Sequence, residues 1–155
     1  MNDLNEAVIH FELEGTNYLK DTILKFGFYT NHQHVVINAE DVKDYKHLVQ
    51  WLEDKNTTKI VYDAKKTYVS AHRLGINIEN IEFDVMLASY IIDPSRSIDD
   101  VKSVVSLYGQ NYVKDNITIF GKGKKHHIPE EPILNEHIAS VTEAIAAVTP
   151  TMKSQ

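Results

Sequence analysis

The sequence predicts an α/β fold: a mixed sheet, made of an antiparallel three-strand meander plus a parallel strand, with helices packed on it. Three observations predict it. Before Asp41 the chain holds three β-rich runs separated by polar turns, the pattern of a meander. After Asp41, runs with helical spacing alternate with short β-branched runs. At 155 residues, 43% apolar and 25% charged, the chain has the length and composition of one soluble domain with a substantial core.

The first strand spans Ala7 to Glu14, with Ala7, Ile9, Phe11 and Leu13 on one face and Val8, His10, Glu12 and Glu14 on the other. That alternation predicts a half-buried strand carrying two carboxylates side by side. Thr22–Tyr29 and His34–Asn38 are the next two strands, joined through Thr30-Asn31-His32-Gln33. Asp41–Asp54 places Tyr45, Leu48, Val49 and Leu52 at helical spacing, an amphipathic helix. Trp51 and the tyrosine of that run read as core and helix face rather than as platforms for stacking bases. Thr58–Tyr62 is a short β-branched strand, followed by a helix over Ala64–Leu74 that Gly75 closes.

Ile81-Glu82-Phe83 is extended, and Val85–Ile92 is a helix that Asp93-Pro94 terminates. Ser97-Ile98-Asp99-Asp100 opens a further helix that ends near Gly109. A connector, Gln110–Glu131, precedes a last helix from about Pro132 to Thr149-Pro150. Asp63 and Asp84 both stand where a helix N-cap belongs. The final residues run off that helix with no closing element, which reads as a piece cut from a longer protein.

Charge and composition narrow the function. A net charge of −6 is the wrong sign for a protein that grips nucleic acid alone, because such binding rests on displaced counterions. The absence of cysteine excludes disulfides and thiolate metal sites and suits a cytoplasmic location. No run approaches the roughly 18–20 apolar residues of a membrane span, so no membrane partner is expected.

A crossover from the meander lays Thr58–Tyr62 parallel to a meander strand. If that neighbour is the first strand, Glu12, Glu14 and Asp63 converge at one edge of the sheet, the arrangement of ribonuclease-H-like nucleases. In chain order, Phe11-Glu12-Leu13-Glu14, Tyr62-Asp63, Ile81–Ile92 and Gly121-Lys122-Gly123-Lys124 resemble the 3′–5′ exonuclease domain of bacterial DNA polymerase I across nearly the whole chain. The resemblance implies a polymerase module in the same parent chain and a role in DNA replication and repair. It also implies DNA contact through the full-length protein and association with the nucleoid through that parent.

Active members of that family use four carboxylates and a tyrosine. Carried over residue by residue, the first-strand aspartate falls on Glu12, its glutamate partner on Glu14 and the second-motif aspartate on Asp63. The tyrosine falls on His137, and the last aspartate on Val141. Two divalent ions about 4 Å apart perform the cleavage in such sites. Mg²⁺ demands near-octahedral oxygen ligands at about 2.0–2.1 Å. Glutamate at position 12 keeps the charge but displaces its oxygens by about one bond length, roughly 1.5 Å. His137 lacks the phenol, and Val141 has no oxygen to offer.

Glu143 does not replace that oxygen, because two residues along a helix turn the side chain by about 200°. Leu134, Ile138, Val141, Ile145 and Val148 form one apolar stripe with Val141 at its centre. The expectation is therefore a vestigial site, with no catalytic residue functional and no cofactor held. Mg²⁺ or Mn²⁺ enters only if Glu12, Glu14 and Asp63 retain one ion and a weak exonuclease activity. A third reading is a non-enzymatic interaction module, which an exposed apolar docking patch would favour.

Lys122, Lys124 and Lys125 are weak candidates for nucleic-acid contact, and in acidic surroundings they read first as a solvated connector. His126-His127 lacks the helical i, i+4 spacing and the third ligand of a zinc site.

Overall fold

Strand β1 (Glu6–Leu13) is the centre of the fold, and every residue in it after Glu6 is buried. A computed structural model describes residues 5–95 and 100–155. β1 pairs antiparallel with β2 (Ile23–Thr30), which pairs antiparallel with β3 (Gln33–Asn38). On its other side β1 pairs in parallel with β4 (Thr58–Val61), and β4 in parallel with β5 (Ile81–Asp84). The strand order is β3-β2-β1-β4-β5, so the neighbour of the parallel strand β4 within the meander, left open by the sequence, is β1. The β2–β3 turn is Asn31-His32, both at positive φ, the backbone that a two-residue hairpin of right-handed twist requires.

Two helical layers bury the two faces of this sheet. Ile9, Phe11, Phe26 and Phe28 pack with Trp51 and Leu52 of α1 (Lys46–Glu53) and Ala71 of α2 (Ala64–Arg73). On the opposite face Val8, Tyr29 and Ile60 pack with three further helices. These are α3 (Val85–Ile92), α4 (Val101–Val105) and α6 (Glu131–Lys153). β1 is thus buried on both faces rather than on one. A central strand with helices on either side has no solvated face, so His10 and Glu12 lie inside the protein.

Close approach seats α6 on the sheet. A Cβ at Gly27 of β2 would stand 2.5 Å from Ile138 Cγ2 and 3.2 Å from Thr142 Cγ2. Only a residue without a side chain leaves room for α6 there.

Several boundaries differ from the expectation. The run Asp41–Asp54 is a 3-10 helix (Ala39–Asp44) followed by α1, with Tyr45 non-helical between them and exposed. Val42 of the 3-10 turn and Leu48 of α1 are both buried in the same core cluster. The helix expected to open at Ser97-Ile98-Asp99 lies partly outside the described residues. Within them α4 starts after Asp100, whose side chain forms a capping box with Ser103, and runs into a 3-10 turn that Gly109 stops.

The connector between Gln110 and Glu131 holds secondary structure of its own. It contains α5 (Asn116–Phe120), capped by Asp115, because Ile119 and Phe120 bury against Leu134 and Ile138. α5 ends at Gly121, where a Cβ would collide with the Lys125 carbonyl. α6 continues through Pro150 to Lys153. The proline forfeits one hydrogen bond, but Val148, Thr149 and Met152 are all buried, and that packing carries the helix past it. Among the described residues no helix is long and apolar enough to cross a membrane.

Candidate functional site

The C-terminal end of β1, the turn from β4 into α2, and the middle of α6 surround one cleft of about 430 Å³. Glu12, Glu14, Asp63, His137 and Val141, the five positions singled out from the sequence, all line it. The parallel pairing of β1 with β4 brings the first two to the third, and the seating of α6 on Gly27 delivers the last two.

Glu12 does not face the cleft as a free carboxylate. Its Oε1 lies 3.2 Å from His10 Nε2, two residues back on the same strand, and 3.7 Å from His137 Nε2 on α6. Burial raises the pKa of Glu12, but this is outweighed by the His10 hydrogen bond and by the positive potential of His10, Lys66 and His137. The carboxyl is held down at about 2. Burial is also the main influence on the two imidazoles, and it pushes both below their ordinary value. The arrangement near neutral pH is therefore an ionised Glu12 accepting from a neutral His10. The buried Nδ1 of His137 has no hydrogen-bond partner among the described residues.

Asp63 sits at φ 74°, in the left-handed region, and its carboxylate caps α2 by accepting from the Lys66 N–H at 3.1 Å. Asp84 holds that strained turn. Its Oδ1 accepts from Asp63 N–H at 2.8 Å and Met86 N–H at 2.9 Å, and its Oδ2 from Ala64 N–H at 2.7 Å. Both capping expectations hold, and Asp84 caps α3 while bracing the start of α2.

Val141 is buried to 1% exposure in the apolar cluster that joins Ile145 and Val148 to Val8, Tyr62 and Val85. Glu143 lies outside the cleft, with its carboxylate 3.9 Å from His34 on β3. Tyr62 also borders the cleft, and its phenol is pushed up, first by burial and then by Asp100, so it stays protonated.

Lys122, Lys124 and Lys125 are exposed and do not line the cleft, whereas Gly121 and His126 on either side of them do. His126 stacks on Phe120 and approaches the Glu14 carbonyl at 3.3 Å. The cations that line the cleft are Lys66, Lys102 and Lys114, none of them singled out from the sequence. His10 was legible as a neighbour of Glu12 at strand spacing i, i−2, and Lys66 as one turn beyond Asp63. Lys102 and Lys114 had no signal, because only the packing of α4 and α5 brings them in.

Residues 9–148 match the family described as DNA polymerase I, ribonuclease H-like domain. The chain belongs to that family. It is 34% identical over 134 residues to DNA polymerase I of Bacillus subtilis (strain 168), a match covering 86% of this chain and 15% of that protein. It is 31% identical over 147 residues to DNA polymerase I of Streptococcus pneumoniae (strain ATCC BAA-255 / R6), covering 95% of this chain and 16% of that one. The chain thus spans about a sixth of the length of these DNA polymerase I relatives.

Among solved structures, Brucella melitensis NrnC superimposes with a TM-score of 0.77 at 17% identity, over 98% of this chain and 74% of that one. Escherichia coli RNase D, an exoribonuclease, gives 0.72 at 13% identity, over 97% and 39%. The POL domain of Pol1 from M. smegmatis, in complex with DNA primer-template and dNTP, gives 0.71 at 11%, over 96% and 23%. These likenesses establish the ribonuclease-H-like fold.

Proposed function

We propose that this is a vestigial 3′–5′ exonuclease domain of a DNA polymerase I, without nuclease activity, which supports the polymerase module of the same chain in cytoplasmic DNA replication and repair. The observation that carries the proposal is Val141. At the position where active members of the family present their last aspartate, an apolar side chain is buried among apolar neighbours.

The donor set does not fit two Mg²⁺ ions. Glu12 is already engaged by the His10 hydrogen bond and sits beside His137, and an ion would have to displace the hydrogen bond that holds it. The carboxylate of Asp63 is engaged in capping α2. Among the described residues, no group of three or more His, Asp or Glu is disposed to hold a metal ion.

A second reading is a weak exonuclease using one ion, favoured by the convergence of Glu12, Glu14 and Asp63 on one cleft. Calorimetric titration with Mn²⁺, run beside degradation of a 3′-labelled single strand, separates the two. Neither specific binding nor trimming is expected. Binding with slow trimming that vanishes in Asp63→Ala overturns the proposal.

A further inference from the structure

Helix α3 reads Val-Met-Leu-Ala-Ser-Tyr-Ile-Ile and carries no charge. Helices apolar all round are ordinarily buried all round. Only one side of this one is. Val85 and Ser89 are fully buried against the core, while Leu87, Tyr90 and Ile91 are 55%, 41% and 72% exposed. These three stand at i, i+3 and i+4, so they form a single stripe about 100° wide that points away from the domain. α3 directly follows β5, the edge strand of the sheet, and the stripe lies outside the cleft.

We propose that the Leu87–Tyr90–Ile91 face is the surface on which the polymerase module of the same chain docks. The proposal rests on the family reading above and deepens its structural-support role. Two observations select this occupant over another. The relatives hold the matching stretch as 15–16% of one continuous chain, so a large module is tethered to such a domain at high effective concentration. A structure described as the POL domain of Pol1 from M. smegmatis in complex with DNA primer-template contains this fold over 23% of its chain, so most of that chain lies beyond it. A module gripping DNA phosphates is basic, and this domain carries a net charge of −6, so the two attract across an apolar contact. Uncovered, three large apolar side chains on one helix face are an aggregation liability, which a permanent intrachain neighbour removes.

Hydroxyl-radical footprinting of the full chain, with domain and polymerase module together, reads side-chain exposure directly. Tyr45 on the α1 side of the sheet is 51% exposed and serves as the internal reference. Tyr90 and Ile91 are expected to be oxidised several-fold more slowly than their exposure in this domain implies, with Tyr45 unchanged. Equal rates at Tyr90 and Tyr45 overturn the proposal. Protection that appears only as protein concentration rises also overturns it, because a second copy is then the occupant.

In Ile91→Glu, a change on the solvent side that should leave the fold intact, Tyr90 oxidation is expected to rise to the Tyr45 level. Persistent protection of Tyr90 in that variant counts against docking by this face. The footprint is independent of nuclease chemistry. Trimming activity would remove the vestigial reading without touching the docking result, and unprotected α3 would remove docking without restoring a nuclease.

Discussion

The carboxylate of Asp84, at the end of the edge strand, accepts the backbone N–H of Asp63 at 2.8 Å, at the end of the neighbouring strand. One side chain thereby fixes the left-handed backbone of Asp63, starts α2 through Ala64 N–H, and starts α3 through Met86 N–H. The placement of Asp63 in the cleft depends on it.

Asp84→Ala removes the acceptor for all of these N–H groups. Hydrogen bonds to a charged, partly buried acceptor are among the stronger ones, so a loss of about 3 kcal/mol is expected. Urea unfolding of the variant measures it. Asp84→Asn, which keeps one acceptor oxygen, should lose less.

On the vestigial reading proposed above, a carboxylate at position 141 should not produce a nuclease. Val141→Asp puts a charge into an apolar cluster at a site 1% exposed, and an unpaired buried charge costs about 3–5 kcal/mol. Chemical denaturation with and without Mn²⁺ reads the cost, and a 3′-labelled single strand reads activity. Mn²⁺-dependent trimming by this variant would show that the other carboxylates remain competent.

Gly27→Ala tests the seat of α6. The new methyl meets Ile138 at 2.5 Å, so helix and sheet must part, at a cost of about 2 kcal/mol as for other overpacked cores. Because His137 sits one residue from Ile138, its distance to Glu12 should lengthen as well. The titration of the His137 imidazole by NMR follows that displacement.

Lys59 gives a pH dependence. Its side chain is fully buried, and its ammonium donates to the carbonyls of Asp54 and Thr57 and to the Thr57 hydroxyl, over the face of Trp51. Burial lowers its pKa to about 8, with Asp54 and Glu79 opposing the shift. Between about 8 and the unfolded value of 10.5 the unfolded chain binds more protons than the folded one, so this residue's contribution to stability rises with pH across that window. Lys59→Met should flatten that rise. At pH 7 it should be neutral or stabilising, as replacement of buried charge by packed apolar volume often is. Thermal melts from pH 7 to 10 check both.

The local chemistry of the chain by itself determined the strands and most of the helices. Alternation placed β1 and β-branched runs placed β2 to β4, while Val141 stood out only through the family resemblance, which puts an aspartate at that position. Asp63 and Asp84 were legible as caps, since capping is a contact between near neighbours.

What only the tertiary structure decided involves burial and long-range approach. Alternation alone cannot tell a half-buried strand from one covered on both faces, so the burial of His10 and Glu12 emerged only once α6 lay on the sheet. The pairing of Glu12 with His137 joins residues on β1 and α6, and no local propensity encodes that contact. The passage of α6 through Pro150 has the same origin. A proline stops a helix by local energetics, but here packing around Val148, Thr149 and Met152 outweighs the one hydrogen bond it removes.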